Sequence, residues 1–343
     1  MDESRTILEE SANKLFAGFA EPALLRRVEA GEAAPEVWAA IEAMGFELIF
    51  SGASDDPWRD AAVILKACGR HVLPAPLPET LMTAALMQCA GLELEGVPKP
   101  VTLGAPAHTE LALAEGGSVT GRTSHLAWGH VCTHAALPML GQLVLAPLDG
   151  RSQGDRSIGR EPRDSHVFVS VTPVASGPLN EQLFTAAGAL MRAAQMAGAI
   201  EAVLEMTVQY ARERQQFGKP IGSFQAIQHQ LAILAGHSAA ATRAADAAFE
   251  RIAQSGGDAN VMLFEAAVAK IRCGEAATAA ASIAHQTFGA IGFTDEHKLH
   301  YFTRRLWSWR SEFGSAGWWS QKLGQSVAAA GNDAFWPMVT AAG

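Results

Sequence analysis

The segment Arg212–His229 holds the residues whose types and spacing most suggest chemistry. Arg214 lies at the predicted end of one long helix, and a turn rich in glycine and proline leads from it to a second helix, for which Ser223 is the predicted N-cap. A guanidinium beside the free backbone N–H groups of a helix N-terminus suits an anion such as a pyrophosphate. The residues alone also allow a plainer interpretation, in which this is a capped turn between helices and its arginines are merely solvated.

A second group of candidate side chains falls within a short stretch and consists of His125, His130, Cys132 and His134. Their spacing fits no common zinc pattern, and side chains in a β region need not share a face. We therefore predict no metal site. The sequence also contains no GxSxG elbow, no phosphate-binding P-loop and no GxGxxG fingerprint.

The hydrophobic pattern changes twice along the chain. Apolar residues recur at helical spacing up to about Glu95, and between about Val97 and Ser176 they form short runs bounded by turn residues, as in strands. From Asn180 onward long alanine-rich helices return, which can pack closely as a bundle. The sequence predicts a mainly α fold with a small central antiparallel β domain: an N-terminal helical domain at 1–96, a reduced middle β domain at 97–178 and a C-terminal helical bundle at 179–343.

The first helix of the predicted bundle is amphipathic in pattern. Arg192 and Gln195 begin a polar stripe that continues to Arg212, and an apolar stripe lies opposite it. We expect this helix to pack through its apolar side.

Composition limits the classes of partner. The chain has 343 residues and a formal net charge of −9, which argues against nucleic acid or an anionic membrane as the main partner. No run of apolar residues is long enough to predict a membrane span, and the charged start predicts no signal peptide. The four cysteines form no CxxC pair, as expected for reduced thiols in a cytoplasmic protein.

The run from Glu213 to Ala232, ERQQFGKPIGSFQAIQHQLA, resembles the signature of the acyl-CoA dehydrogenases. The predicted order of helices, β domain and four-helix bundle matches that family across nearly the whole chain. The resemblance implies FAD as cofactor, bound mainly to a neighbouring subunit. It further implies that Arg214 and Gln225 contact the pyrophosphate of that FAD and that Phe217 lies beside it.

The segment His285–Thr294 is similar to a second motif of the family, the turn Q-x-F-G-G-x-G-F-T, which touches the same cofactor across the interface. The resemblance implies roles for Gln286 and Gly289, because glycine lets the backbone approach a ligand closely. Ala290 stands where the family usually has its second glycine, so we expect that contact to be looser or displaced. A simple helix-ending turn is the alternative interpretation.

The predicted β domain departs from the family. Complete members carry a T-E-P-x-x-G-S-D-like loop and a W-I-T-like strand end that hold the flavin ring, and the corresponding segments Leu113–Ser118 and Leu126–His130 match them poorly. The resemblance therefore implies a chain that can hold the far end of a partner's FAD but is poorly equipped to bind a flavin ring of its own.

The family's catalytic base is a glutamate that removes the α-proton of the acyl thioester while the flavin accepts the β-hydride. One of its two known positions aligns here with Gly188. The other is an E-G-T-S turn, which Trp309–Ser315 resembles with an offset of one residue, so Glu312 is the candidate base. We expect the surrounding tryptophans and Phe313 to bury Glu312 and raise its pKa. Alternatively, Glu312 pairs with Arg304, Arg305 or Arg310 and holds the bundle together.

Three functions are compatible with these patterns. The first is the smaller subunit of a heterotetrameric acyl-CoA dehydrogenase of the type used in bacterial steroid side-chain catabolism, in which a larger homologous subunit supplies the base and most of the flavin site. Such an enzyme desaturates an acyl-CoA and is expected to pass its electrons to an electron-transfer flavoprotein. The second is a complete homo-oligomeric enzyme with Glu312 as base. The third is a non-catalytic structural subunit that has lost the cofactor.

Overall fold

The helices that precede the first strand begin and end at residues suited to those positions. The computed structural model describes residues 3–93, 95–97, 99–114, 117–149, 154–331, 333 and 336–337. Its first helices are α1 (Glu3–Ala17), α2 (Pro22–Ala30), α3 (Pro35–Met44), α4 (Pro57–Arg70) and α5 (Leu77–Cys89). Proline occupies the first position of α2, α3 and α4, where its missing N–H costs nothing. Gly31 and Gly45 end α2 and α3 in the left-handed conformation.

The strands form two sheets, with the orders β1-β4-β5-β7 and β2-β3-β6. They are β1 (Val101–Leu103), β2 (Thr109–Leu113), β3 (Val119–Ala127), β4 (His134–Met139), β5 (Gln142–Pro147), β6 (Arg163–Val171) and β7 (Ala175–Pro178). The expectation of purely antiparallel strands is wrong for one pair, because β1 runs parallel to β4, with Val101 opposite His134. Between them the chain passes through β2 and β3 in the other sheet, and this long connection permits the parallel pairing.

The C-terminal part is built from long helices. They are α6 (Glu181–Glu213), α7 (Gln225–Gln254), α8 (Ala259–Phe288), α9 (Leu299–Trp309) and α10 (Ala316–Ala330), with a short hairpin, β8 (Gln215–Gln216) and β9 (Lys219–Pro220), between α6 and α7. The long helices predicted from Asn180 onward are present, and the first of them begins at Glu181. The mainly helical fold with a small β region is confirmed.

Helices α4 and α6 cross in close contact, and this joins the N-terminal helices to the bundle in one core. A Cβ on Gly198 would lie 2.0 Å from the Lys66 carbonyl oxygen, and a Cβ on Gly69 would lie 1.9 Å from that of Gln195. Only glycine at these positions lets the two backbones approach this far. Of the described helices, α6 alone is long and apolar enough to cross a membrane, but 94% of that window is buried inside the protein.

Candidate functional site

The hairpin between α6 and α7 places Arg214 and Phe217 at one end of the bundle. Phe217 and Gly218 both have positive φ, 52° and 77°, which is the backbone of a tight two-residue hairpin turn. The backbone N–H of Ile221 donates to the Arg214 carbonyl at 2.8 Å and closes the hairpin. Arg214 is thereby the residue at which α6 ends, and its side chain is exposed.

The predicted capping role of Ser223 is wrong. Its hydroxyl donates backward to the Pro220 carbonyl at 2.7 Å, and α7 begins one residue later, with Phe224 at the N-cap position and no side-chain cap. The Ser223 hydroxyl is hydrogen-bonded within the hairpin and does not cap α7. The N-cap residue of α7 therefore gives no side-chain partner to the first backbone N–H groups of this helix, which begins at Gln225.

Phe217 is exposed over 92% of its surface although it is a large apolar residue. Its ring makes an edge contact with Phe224, with centroids 6.1 Å apart. A left-handed conformation costs an L-residue about 1–2 kcal/mol, and Phe217 regains little of this by burial. An exposed ring held in an unfavourable backbone conformation is typical of a residue retained for a contact outside its own chain.

The end of α8 supplies the second predicted segment. Gln286 is exposed in its last turn, and Gly289 follows with φ 63° and ψ −144°. A Cβ on Gly289 would meet no atom of the chain within 4 Å, so its backbone conformation, rather than crowding, is what requires glycine. The rings of Tyr210 and Phe288 stack with centroids 4.2 Å apart and hold the ends of α6 and α8 together.

We call the residues Arg214, Phe217, Gln225, Gln286 and Gly289 the bundle-end cluster. The structure places all five at the same end of the bundle, and all are exposed. Among the described residues, the Arg214 guanidinium and the amides of Gln225 and Gln286 have no hydrogen-bond or ion-pair partner. A free guanidinium, free amides and a helix N-terminus together offer donors to an anionic group such as a pyrophosphate.

Glu312 lies elsewhere, just after α9, and is held by two arginines. Its Oε1 accepts from Arg163 Nη2 and from the Ser308 hydroxyl, each at 2.7 Å, and its Oε2 accepts from Arg192 Nε at 2.8 Å. The partners considered from sequence, Arg304, Arg305 and Arg310, are not the ones it has. Arg163 comes from β6 and Arg192 from α6, so Glu312 ties the β region to the bundle.

The expected upward shift of the Glu312 pKa is wrong in direction. Burial by itself would raise the pKa, but the Arg163 and Arg192 guanidiniums and the Ser308 hydroxyl stabilise the carboxylate and hold the pKa well below its ordinary value. The tryptophans were expected to isolate this carboxyl, yet two cations reach it. A carboxylate so strongly stabilised has little affinity for a proton and is a weak general base.

The two arginines belong to a buried network that sequence reasoning missed. Arg192 also donates from Nη2 to Glu79 at 2.8 Å, and Arg163 donates from Nη2 to Glu161 at 3.1 Å. The polar-stripe interpretation of α6 is wrong at its first members, because Arg192 is 1% exposed and Gln195 is 4% exposed. One signal was available: Arg192 is the lone charged residue in an otherwise apolar stretch of α6, where a charge needs a buried partner.

Gly188, which the resemblance aligns with one position of the family's base, is in contact with the turn that carries Glu312. The Phe313 ring lies against Gly188, and a Cβ on Gly188 would be 2.2 Å from that ring. Phe313 itself has a positive φ of 53°. A glutamate cannot occupy position 188 while Phe313 keeps this place.

Lys270 fixes the turn that carries Glu312 and Phe313. It is buried on α8 and its ammonium donates to the backbone carbonyls of Arg310, Glu312 and Gly314, the last at 2.7 Å. Burial lowers the pKa of Lys270 to about 7. Sequence reasoning did not single out this lysine.

Two of the histidines considered as metal ligands have hydrogen-bond partners of their own. His130 Nδ1 lies 2.8 Å from the Asp164 carboxylate, and His134 Nδ1 lies 3.0 Å from the Thr133 hydroxyl. Within the described ranges, no group of three His, Cys, Asp or Glu side chains could hold a metal ion. The poorly matching flavin loop lies partly outside the described residues, since positions 115 and 116 are not among them.

Comparison with known proteins agrees with this architecture. The family model for the C-terminal domain of acyl-CoA dehydrogenases matches residues 182–316, which span α6 to the start of α10. Acyl-CoA dehydrogenase IpdE2 of Mycobacterium tuberculosis is 29% identical over 324 residues, which are 88% of this chain and 91% of that protein.

Solved structures of similar fold include complexes of two named proteins. The ChsE4–ChsE5 complex from Mycobacterium tuberculosis superposes with a TM-score of 0.83 at 19% identity, covering 96% of this chain and 98% of the other. A variant of the steroid acyl-CoA dehydrogenase Tcur3481–Tcur3483 superposes with a TM-score of 0.86 at 23% identity, with the same coverage. These likenesses concern the fold. The matched C-terminal domain model and the full-length relatives at 29% identity support the resemblance of this chain to the acyl-CoA dehydrogenase family.

Proposed function

We propose that this chain is one subunit of a flavin-dependent acyl-CoA dehydrogenase that desaturates an acyl-CoA between its α and β carbons. The single observation that carries the proposal is the bundle-end cluster. Its side-chain donors have no partner among the described residues, and its strained Phe217 ring is exposed and makes an edge contact with Phe224. The larger homologous subunit would bring the rest of the flavin site to this face. The similarity to two solved two-protein complexes, one of them named as a steroid enzyme, favours a heterotetramer acting on a bulky, steroid-derived thioester.

The residues of the cluster fit FAD. The Arg214 guanidinium and the Gln225 amide would hold the pyrophosphate beside the N-terminus of α7, and the Phe217 ring would lie against the cofactor. Gly289 would let the backbone after α8 approach it, with Gln286 as a further hydrogen-bonding group. When bound, FAD supplies the acceptor for the β-hydride.

The base in this proposal comes from the larger subunit. Glu312 is engaged by Arg163, Arg192 and Ser308, and Gly188 is covered by Phe313. The role of Glu312 is then to join the β region to the bundle. We further propose a cytoplasmic location and electron-transfer flavoprotein as the acceptor of the electrons.

A non-catalytic structural subunit is the second candidate, and the locked state of Glu312 is the observation that favours it. The two candidates differ in whether the bundle-end cluster binds flavin. A complete homo-oligomeric enzyme with Glu312 as base is disfavoured by the lowered pKa of that carboxyl.

Substitution of the cluster arginine separates the candidates. Arg214→Ala, in the chain co-expressed with its larger subunit, should lower the flavin bound per complex about tenfold or more, because a charge-assisted contact to the pyrophosphate is lost. Arg243→Ala is the matched control, since Arg243 is also exposed on the bundle but pairs with Glu250 of the same helix. Flavin is quantified from its visible absorbance after the subunits are separated from unbound cofactor. Equal flavin content in both variants would favour the structural role.

A further inference from the structure

A small cavity of about 170 Å³ lies between the N-terminal helices and the β region. Its walls come from the α2–α3 connection and the start of α3, the α4–α5 connection, the residue before β1 and the turn after β3. None of the described residues that line it belongs to the bundle-end cluster or to the larger cleft that Glu312 and Phe313 line. The cavity therefore calls for an explanation separate from the proposed flavin site.

Most of the cavity wall is apolar and held in place. It includes Trp38 of α3, Trp128 and Val131 of the turn after β3, and four prolines, Pro35, Pro74, Pro76 and Pro100. The Trp38 indole N–H donates to Glu42 at 2.8 Å, and Trp128 is buried in an apolar cluster that includes Cys132. Proline has a fixed φ, so these walls have little freedom to lose when a ligand binds. An apolar cavity of about 150 Å³ in another protein holds benzene, so this one has room for a single ring.

His130 gives the cavity a hydrogen-bond acceptor. Its ring Nδ1 lies 2.8 Å from Oδ2 of Asp164, and its backbone N–H donates to the same oxygen at 2.9 Å. Because a carboxylate can only accept, Nδ1 carries the proton of the neutral imidazole and Nε2 is the acceptor. Nε2 has no hydrogen-bond partner among the described residues, and 29% of the His130 side chain is exposed although Asp164 behind it is buried. The edge of the ring that carries Nε2 is thus open to a ligand in the cavity that His130 lines.

The charges near the cavity disfavour an ionic ligand. An anion would meet the Asp164 carboxylate behind the imidazole ring and the Glu32 carboxylate on the lining. Neither carboxylate is free for a cation, because Glu32 pairs with Arg27 at 3.2 Å and Asp164 is bonded to His130. The site therefore suits an uncharged ligand that carries one hydrogen-bond donor.

We propose that this cavity binds an uncharged phenol, a single aromatic ring whose hydroxyl group donates a hydrogen bond to Nε2 of His130. The apolar walls remove the ring from water, and the acceptor orients it. The Asp164 carboxylate strengthens the acceptor, because it stabilises the positive charge that develops on the imidazole when Nε2 attracts a proton. The rings of Trp38 and Trp128 offer an aromatic ligand offset or edge contacts.

A pair of probes that differ in one group tests the proposal. We would titrate the full chain with 4-fluorophenol and with 4-fluorotoluene and follow the ¹⁹F line width of each, at pH 8, where a free imidazole and a free phenol are both uncharged. A methyl group has nearly the size of a hydroxyl group but cannot donate. The unchanged protein should bind 4-fluorophenol about fivefold more tightly or better, although 4-fluorotoluene is the more apolar probe. This comparison needs neither flavin nor the larger subunit, so its result is independent of the proposed function.

His130→Phe identifies the acceptor. Phenylalanine keeps a flat ring but cannot accept a hydrogen bond, so the preference for 4-fluorophenol should disappear. His229→Phe is the control, because His229 is exposed on α7 and does not line the cavity; this variant should keep the preference.

Val131→Phe identifies the cavity without touching the pair of His130 and Asp164. The larger side chain should occupy the space of the ligand and weaken the binding of both probes about tenfold or more. Thermal unfolding checks that the three variants fold. Absence of binding by the unchanged protein, equal or weaker binding of 4-fluorophenol, a preference that survives His130→Phe, or full affinity in Val131→Phe would each overturn the proposal.

Discussion

At the scale of single residues, the chain contains two kinds of energetically unfavourable feature: buried charged side chains and an exposed apolar residue in a strained backbone conformation. Glu312 and its arginines are costly to bury but satisfy one another inside the protein. Phe217 has an unfavourable left-handed backbone conformation and an exposed apolar ring, and the ring contact that it makes among the described residues is an edge contact with Phe224. Buried charges that pair with one another hold the fold together. An exposed apolar residue in a strained conformation is typical of a surface that binds a ligand or partner.

Replacing Phe217 should separate stability from cofactor binding. Phe217→Asn should stabilise the isolated chain by about 1 kcal/mol, because asparagine followed by glycine suits a turn with two positive φ values, yet it should lower flavin content in the complex. Leu140→Asn is the control, since Leu140 is 78% exposed, has φ 51° and also precedes a glycine of positive φ. It should stabilise similarly and leave flavin unchanged. Urea unfolding and flavin absorbance measure the two effects; loss of flavin in both variants would refute a specific role for Phe217.

Glu312 should matter for folding more than for proton transfer. Glu312→Gln removes one of the two carboxylates that the Arg163 and Arg192 guanidiniums each contact and should lower the free energy of unfolding by about 3 kcal/mol. Glu275→Gln removes an exposed glutamate that pairs with Arg272 and should change it by about 0.5 kcal/mol or less. Urea denaturation measures both. If Glu312→Gln abolished turnover of the co-expressed complex without loss of stability, Glu312 would be the base and the assignment to the larger subunit would be wrong.

At the scale of elements, the crossing of α4 and α6 depends on glycine. Gly198→Ala should destabilise the protein by about 1–3 kcal/mol, because the new methyl group would overlap the Lys66 carbonyl and push the helices apart. Gly236→Ala is the control within α7, since a Cβ there would meet nothing within 4 Å, and it should instead stabilise by up to about 1 kcal/mol. The midpoints of urea unfolding decide between them, and equal effects of the two substitutions would contradict this view of the crossing.

Sequence patterns predicted the elements well where a local signal defines them. The helical spacing up to about Glu95 and the alanine-rich pattern from Asn180 onward are borne out by α1–α5 and by α6, α7 and α8. The parallel pairing of β1 with β4 was not predictable, because it depends on where the chain returns after the second sheet and not on either strand's residues. Ser223 does not cap α7 as predicted, because its hydroxyl donates to the Pro220 carbonyl instead.

The residues of the bundle-end cluster belong to two contiguous motifs that are recognisable in the sequence, but the Glu312 network has no such motif. Its members lie on four separate parts of the chain, Glu79, Arg163, Arg192 and Glu312, and only the fold brings them together. The aromatic residues lie close to Glu312 in the sequence, so by themselves they predict an apolar environment for its carboxyl group. The distant arginines reverse the pKa shift that those aromatics alone would cause.

At the scale of the whole molecule, the bundle end and the turn after α9 differ in the groups that they offer to a partner subunit. The bundle-end cluster is exposed and offers unpaired donors, whereas the turn after α9 is filled by Phe313 and fixed by Lys270. In the proposed function this subunit contributes the bundle-end cluster to a shared flavin site and takes no part in the proton transfer. Its dehydrogenase activity should depend on assembly with the larger subunit.

Flavin content with and without the larger subunit tests that central claim most directly. The chain is purified alone and after co-expression, and visible absorbance gives the flavin bound per chain. We predict little or no flavin in the chain alone and, in the co-expressed complex, a yellow protein that desaturates an acyl-CoA. A chain that is fully flavinated and active by itself would contradict the account.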